Sequence, residues 1–272
     1  MAIGWKTQND GLMENNHILQ ASAISIGYAD KKEKRTVAVG IDLTLEKGKL
    51  IALIGANGIG KSTLLRTITG IQKTISGTVL LHGENIHKLD SLTLAQNLSI
   101  VLTEKLPPSN LTVFELIALG RQPYTNWIGK LTLNDLTKVN EAMVLTQISH
   151  LAHKKHYEIS DGQLQNVLVA RALAQDTPLI ILDEPTTHLD LLHKVALFKL
   201  LKKLTLETQK CILFSTHDID MAIQLSDEII LMTPEKVIQD QPCNLIAKGH
   251  FDTLFQDEAI SFDKEKGKFV IR

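Results

Sequence analysis

Apolar residues along this chain fall into short continuous runs and into periodic stripes, and the balance between the two changes with position. Between about residues 18 and 53, β-branched and apolar residues at short spacing are interrupted by Gly27, Gly40 and Gly48. This pattern predicts an antiparallel meander that leads into a buried strand. The predicted strands are residues 18–22, 36–39, 43–45 and 50–54, with a further strand at 77–81.

Helical periodicity dominates from about residue 111 to residue 174, and strands alternate with helices after it. The predicted helices of the first stretch are 112–119, 133–148 and 164–174. The later elements are strands at 179–182, 211–215 and 228–232 and helices at 191–204 and 219–225. Such alternation predicts a parallel sheet covered on both faces. An apolar stripe that starts at Leu191 and Leu192 and continues to Leu197 and Leu200 is predicted to be core.

Composition narrows the class of protein only a little. The 272 residues carry a net charge of −1, and the lack of a basic excess weighs against a nucleic-acid partner. Two cysteines, Cys211 and Cys243, are too few for a disulfide framework and suit a reducing compartment. No apolar stretch approaches the roughly 20 residues that span a bilayer. Residues 1–17 are predicted to be a polar, flexible tail without a signal-peptide segment, so we expect a soluble chain whose membrane role comes through a partner.

The first candidate site is a glycine-rich loop between a predicted strand and a predicted helix. The sequence from Gly55 reads Gly-Ala-Asn-Gly-Ile-Gly-Lys-Ser-Thr, the G-x-x-x-x-G-K-[ST] pattern of a phosphate-binding loop. Its backbone N–H groups and the positive end of the helix dipole suit a polyphosphate; Lys61 would reach the β- and γ-phosphates and Ser62 would bind Mg²⁺. The predicted ATP-binding residues here are Gly55, Asn57, Gly58, Gly60, Lys61, Ser62 and Thr63. The alternative is a glycine turn with an incidental lysine.

A second candidate site follows the apolar run 179–182. Asp183 and Glu184 stand at the carboxyl end of this predicted central strand, where open α/β sheets place their ligands. Asp183 would hold Mg²⁺ and Glu184 would polarise an attacking water as general base. The alternative is a strand that ends in two exposed acids, as at Asp227 and Glu228.

These motifs and three others occur in a fixed order that resembles the ATP-binding-cassette (ABC) ATPases. The sequence Asp-Glu-Pro-Thr-Thr-His-Leu-Asp from Asp183 to Asp190 is similar to the Walker B segment and D-loop, and Ile-Ser-Asp-Gly-Gln before it is similar to the signature L-S-G-G-Q. The resemblance covers about residues 18–232. It implies further site residues: Tyr28 stacking on adenine, Ser160, Gly162 and Gln163 of the signature, Asp190 of the D-loop, and His217 as a catalytic histidine beside Glu184 and Lys61.

The resemblance implies an α/β fold: a P-loop NTPase (RecA-like) core with a parallel central sheet, an N-terminal antiparallel β subdomain and an inserted α-helical subdomain. The expected domain is residues 18–272, with the core at about 18–103 and 176–240, the helical subdomain at about 104–175 and a C-terminal extension at about 241–272. It also implies a head-to-tail homodimer, in which Ser160 and Gly162 of one copy cap the γ-phosphate held by Lys61 of the other. A serine before a helix is also an ordinary N-cap, and a buried structural histidine is the alternative for His217.

Three positions depart from the family pattern, and one of them is Leu164, which stands where a basic residue is common. Glu104 stands where a glutamine that touches Mg²⁺ or water is usual, and Asp161 replaces a signature glycine. Either acid adds negative charge beside a triphosphate, although Asp161 is favourable at a helix start. We expect ATPase activity that is slow without its partner.

A single cassette without membrane spans resembles the ATPase subunit of a bacterial importer. Residues 111–116, 120–124 and 174–178 resemble the iron-siderophore, haem and cobalamin group, the ferric-citrate type most closely. The implied partners are a multi-span permease and, indirectly, a periplasmic or lipid-anchored binding protein, with the chain on the cytoplasmic face of the inner membrane. Residues 104–127 would receive a permease helix, with Pro107, Pro108 and the loop from Arg121 through Tyr124 to Trp127 as the docking groove, or they would simply begin the helical lobe. A haem or cobalamin importer and a soluble ABC ATPase remain alternative functions.

Overall fold

The computed structural model describes residues 16–29, 34–102, 109–254, 260–264 and 267–271. The strands are β1 (His17–Ala29), β2 (Lys34–Glu46), β3 (Leu50–Gly55), β4 (Ser76–Leu81), β5 (Glu84–Asn85), β6 (Leu98–Val101), β7 (Leu179–Leu182), β8 (Cys211–Ser215), β9 (Glu228–Met232), β10 (Val237–Asp240), β11 (Ile260–Asp263) and β12 (Lys268–Ile271). The helices are α1 (Lys61–Ile68), α2 (Ser91–Asn97), α3 (Val113–Ala118), α4 (Leu133–Leu145), α5 (Asp161–Ala174), α6 (Leu191–Thr208), α7 (Ile219–Leu225) and α8 (Pro242–Ala247).

The central sheet is the predicted parallel sheet, with strand order β10-β9-β3-β8-β7-β6. Its first five strands in sequence pair in parallel, and β10 adds an antiparallel edge. Both faces are buried, since Ala52 and Ile54 join one core cluster and Ile51 and Leu53 join the other. Helices α5, α6 and α7 pack on the first face, whereas α1 and a second sheet cover the other. Because the strands are parallel, β3, β7 and β8 end at the same edge of the sheet.

The second sheet is antiparallel, with strand order β2-β1-β4-β5. The prediction of separate strands at 36–39 and 43–45 is wrong, because β2 runs through both. Gly40, one of the predicted interruptions, lies inside β2 with φ of +62°. The pairing of β1 with β2 shifts register between Ala21 and Ile26 instead of ending. A glycine in the left-handed region can mark an irregularity within a strand as well as a turn.

Helices α3, α4 and α5 pack on one another within the segment predicted to be helical. Arg121, in the 3-10 turn Leu119–Tyr124, is only 3% exposed. Its Nε donates to Asp135 Oδ1 on α4 at 2.9 Å, its Nη1 donates to the Ala174 carbonyl at 2.8 Å, and its guanidinium lies 3.9 Å from the centre of the Tyr124 ring. Arg121 therefore holds the helical lobe together, and its expected place on a docking groove is wrong.

The buried face of α6 differs from the predicted stripe. Leu191 and Leu192 are exposed, while Leu197, Phe198 and Leu201 are buried. The predicted stripe included neighbouring positions, which a helix turns about 100° apart, so it was too wide to be one face. Among the described residues, no helix combines the length and the apolar character that a bilayer crossing needs.

Candidate functional site

The glycine-rich loop joins β3 to α1 at the carboxyl edge of the central sheet. Two of its glycines, Gly58 and Gly60, have φ of +74° and +116°, values that side chains with a Cβ rarely adopt. A Cβ on Gly60 would also lie 2.4 Å from Val37 Cγ1, and one on Gly55 would lie 2.8 Å from Ile59 Cγ2. The loop geometry therefore favours glycine at Gly58 for its conformation, at Gly55 for space, and at Gly60 for both.

The start of α1 has the properties of an anion site. Gly60 caps α1 without a side-chain hydrogen bond, whereas side chains cap α2 to α6. The first N–H groups of α1 therefore face the loop without a side-chain acceptor, which fits a phosphate. Lys61 is 6% exposed, and its Nζ donates to the Gly55 and Ala56 carbonyls at 3.0 and 3.4 Å. Burial lowers the pKa of Lys61, although the carboxylates of Glu184 and Asp183 oppose this.

The carboxylates that follow β7 lie at the same edge. Glu184 has φ of +47° and its Oε1 lies 2.7 Å from His217 Nε2, which follows β8. Ser215, the last residue of β8, donates to Asp183 Oδ1 at 2.6 Å and accepts from the Glu184 N–H at 2.8 Å. Ser215 thus fixes the two acids relative to each other. Ser215 is not among the site residues predicted from the sequence, and its place at the end of an apolar strand is the available signal.

The oxygen atoms near α1 fit a magnesium ion. Ser62 and Asp183 line one crevice between α1 and β7. A hydroxyl and a carboxylate are oxygen ligands of the kind that Mg²⁺ prefers. Glu104, the third predicted ligand, lies outside the described residues, as do Pro107 and Pro108.

Tyr28 stands at the end of β1 beside the glycine-rich loop. Its Oη lies 3.2 Å from Thr63 Oγ1 on α1, and the residue is 52% exposed. The ring is therefore held at one edge while much of its surface is open to solvent. This placement suits stacking of a flat aromatic group next to the phosphate loop.

Replacing Tyr28 with alanine is expected to weaken ATP binding by about tenfold, because stacking of a base on an aromatic ring contributes about 1–3 kcal/mol. Phenylalanine at this position keeps the ring and should retain the affinity. Titration of the chain with a fluorescent ATP analogue measures both variants. An equal loss in the two variants would assign the effect to the hydrogen bond with Thr63 and contradict stacking.

The signature segment lies at the start of α5. Ser160 caps this helix, since its Oγ accepts from the Gln163 N–H at 3.3 Å and Gln163 Oε1 accepts from the Ser160 N–H at 3.1 Å. Gly162 lies against His193 of α6. Within the described part of the chain, none of the hydrogen bonds of Ser160 and Gln163 reaches the glycine-rich loop. One copy thus brings Lys61, Asp183, Glu184 and His217 together, whereas the hydrogen bonds of the signature stay within the first turn of α5.

Asp190 of the predicted D-loop caps α6, and its Oδ1 accepts from the His193 N–H at 2.9 Å. His150, His153 and His156 recur at every third position, a spacing that can occur in a metal site. Over the ranges that the structure describes, no group of three or more His, Cys, Asp or Glu side chains is arranged to hold a metal.

A family model described as ABC transporter matches residues 39–187, more than half of the chain. The chain belongs to the ABC transporter family. This assignment agrees with the order of the motifs and with the α/β fold around the glycine-rich loop, and it makes the chain an ATPase cassette.

Relatives of this cassette include two ATP-binding proteins of iron uptake. One is the iron(3+)-hydroxamate import protein of Bacillus subtilis, 36% identical over 82% of this chain and 81% of the relative. The other is the ferric enterobactin transport protein of Escherichia coli, 34% identical over 87% of this chain and 86% of the relative.

Two solved structures share the fold of this cassette. An inward-facing ABC transporter described as metal-chelate type has a TM-score of 0.77 at 26% identity, covering 94% of this chain and 96% of that one. An ATP-binding cassette solved as a dimer with ADP and phosphate has a TM-score of 0.69 at 26% identity, covering 82% and 98%.

Proposed function

We propose that this cassette hydrolyses ATP to drive the import of a ferric siderophore through a membrane permease. The observation that carries the ATPase part is the meeting of Glu184, His217 and Lys61 at one edge of the sheet, beside a helix start without a side-chain cap. The iron complex is supported by the two iron-uptake relatives and by the metal-chelate type of the transporter with the same fold.

The residues at this edge divide the chemistry among themselves. The loop amides from Gly58 to Ser62 and the Lys61 ammonium would bind the phosphates, and Tyr28 would hold the base. Ser62 and Asp183 would hold Mg²⁺, which neutralises phosphate charge when bound. Glu184 would take the proton of the attacking water, and His217, at 2.7 Å from its Oε1, would orient that carboxylate.

The active form is proposed to be a head-to-tail homodimer. Ser160, Gly162 and Gln163 of one copy would face the phosphates bound by Lys61 of the other, because α5 offers its N-terminus to an anion. The cassette with the same fold that was solved as a dimer supports this arrangement.

The permease would dock on the helical lobe at the cytoplasmic face of the inner membrane, with a periplasmic or lipid-anchored binding protein as an indirect partner. Trp127 is 94% exposed and Ile128 beside it is also exposed, so these two side chains offer apolar surface within the region next to Arg121. They replace Arg121 as the residues for a docking contact, because the guanidinium is buried in the lobe.

Uptake of candidate compounds in a strain that lacks this chain tests the proposal. Deletion should abolish uptake of a radiolabelled ferric siderophore, and the wild-type chain, but not Glu184→Gln, should restore it. Haem and cobalamin serve as the comparison compounds. If siderophore uptake survives the deletion while haem or cobalamin uptake is lost, the iron-siderophore assignment fails and the ATPase assignment stands.

A further inference from the structure

The imidazole of His193 lies directly against the backbone of Gly162. A Cβ built on Gly162 would be 2.5 Å from His193 Cδ2, 3.0 Å from Cγ and 3.2 Å from Nε2, closer than van der Waals contact allows. Gly162 lies within the regular helix α5 and is not among the residues with positive φ. A side chain at Gly162 would therefore meet the ring, which is 53% exposed, whereas the backbone conformation would accept one.

Asp190 holds this ring in place. Its Oδ1 accepts from the His193 N–H at 2.9 Å and lies 2.8 Å from His193 Nδ1. These hydrogen bonds, from the backbone first and then from the ring, lower the pKa of Asp190, so the carboxylate is ionised and can only accept. Nδ1 consequently carries the proton, and the Cδ2 and Nε2 edge of the ring is turned towards α5.

The same turn of α6 is also tied to the catalytic side of the cassette. The segment from Glu184 to Asp190 is closed by turn hydrogen bonds, from the Thr187 N–H to the Glu184 carbonyl at 3.1 Å and from the Leu189 N–H to the Thr186 carbonyl at 3.2 Å. Lys194, next to His193, pairs with Asp218, next to His217, at 2.8 Å. The first turn of α6 thus touches the signature on one side and the Glu184–His217 segment on the other.

We propose that His193 is a positioning residue that couples the two ATP sites of the dimer. The inference rests on the proposed function. There, Glu184 and His217 of one copy act on the ATP that this copy binds, whereas Gly162 contacts the ATP bound by the second copy. The contact of His193 with Gly162 then links the signature, which completes the ATP site of the second copy, to the Glu184–His217 segment, which acts in the copy's own ATP site. Movement of either one is transmitted to the other through a single ring, which gives the sites a coupling free energy.

A thermal-unfolding cycle on the full chain tests the contact without any activity. Gly162→Ala should lower Tm in the wild-type background, because the new methyl group meets the ring. In the His193→Ala background the ring is gone and alanine is the better helix former, so Gly162→Ala should leave Tm unchanged or raise it, a difference of at least about 2 °C between backgrounds. Equal shifts in both backgrounds would overturn the contact.

ATPase assays of the full complex with the permease test the coupling. His193→Ala should lower kcat by about tenfold and bring the Hill coefficient for ATP towards 1, with binding of an ATP analogue to the single chain unchanged. His193→Asn can still donate to Asp190 but lacks the ring edge, so it should behave like His193→Ala. His150→Ala, an exposed histidine removed from α6, is the matched control.

The outcomes separate this inference from the proposed function. If the complex hydrolyses ATP and both His193→Ala and His193→Asn keep the wild-type kcat and cooperativity, the coupling is overturned and the proposed function stands. If His193→Asn keeps the kcat and cooperativity that His193→Ala loses, His193 acts only as a hydrogen-bond partner of Asp190, and the coupling is overturned as well. A wild-type complex without ATPase activity would overturn the proposed function and the coupling together, whereas the unfolding cycle would still decide the contact.

Discussion

Replacing Glu184 with glutamine is expected to reduce ATP hydrolysis by at least about 100-fold, because the amide has the shape of the carboxylate but cannot take a proton from water. Glu184 Oε1 already has a partner in His217 at 2.7 Å, and the Glu184 N–H is fixed by Ser215. The substitution leaves the glycine-rich loop and Lys61 unchanged, so binding of ATP should persist. Phosphate release by the permease complex and titration with a fluorescent ATP analogue measure the two effects separately.

The matched control for Glu184→Gln is Glu207→Gln, which makes the same chemical change on the exposed surface of α6 beside Lys203. It should leave hydrolysis at the wild-type rate. Because the glutamine variant binds ATP without consuming it, sedimentation of that variant with ATP and Mg²⁺ should show a dimer. Hydrolysis close to the wild-type rate in Glu184→Gln would contradict the role of general base, and a monomer under these conditions would contradict the composite site.

The sequence predicts the central sheet well because its strands are continuous apolar runs. The bounds of β7, β8 and β9 coincide with the predicted strands, since a strand buried on both faces leaves an uninterrupted pattern. The sequence does not predict α2 and β6. Helix α2 has no buried residue, and β6 has only four residues, so neither offers a periodicity long enough to detect.

The candidate site divides in the same way between local and distant information. The sequence predicts Lys61, Asp183 and Glu184 as site residues because each belongs to a short motif of adjacent residues that follows a strand. The sequence does not predict Ser215 and His193 as site residues, because their roles depend on contacts with residues far along the chain or on another helix. Strand ends that meet at one edge supply the first kind of contact, and only the packing of α6 on α5 supplies the second.

The prediction that Arg121 lies on a docking groove fails because its burial depends on a distant residue. Its partner Asp135 is 14 residues away on α4, and the pair forms only when the 3-10 turn packs against that helix. A signal was present, since Thr132 and Asp135 have the spacing of a capping box, which places Asp135 in the first turn of a helix. In the capping box, Asp135 Oδ2 accepts hydrogen bonds from Thr132, and Oδ1 stays available to accept from the guanidinium of Arg121.

Replacing Asp135 with asparagine is expected to lower the free energy of unfolding by about 3–5 kcal/mol, because it leaves the buried guanidinium of Arg121 without a counter-charge. Asp135 is 2% exposed, and its Oδ2 also accepts from the Thr132 N–H at 2.8 Å and hydroxyl at 2.6 Å. Denaturant unfolding at neutral pH measures the loss. Glu115→Gln is the matched control, since it makes the same change in the exposed capping box of α3, which lacks an arginine, and should cost far less.

The pH dependence of the Asp135 effect follows from the state of the carboxyl group. Burial by itself raises the pKa of Asp135, but the hydrogen bonds from Thr132 and then the guanidinium of Arg121 outweigh it, so the pKa lies below its ordinary value. A lowered pKa in the folded chain means stability that is complete above the unfolded pKa of about 3.9 and is lost as the pH falls through the folded value. The difference in unfolding free energy between wild type and Asp135→Asn should therefore be constant near neutral pH and shrink below about pH 4. A difference that stays constant down to the acid transition would show that the charge of Asp135 does not stabilise the lobe, and that its hydrogen bonds alone do.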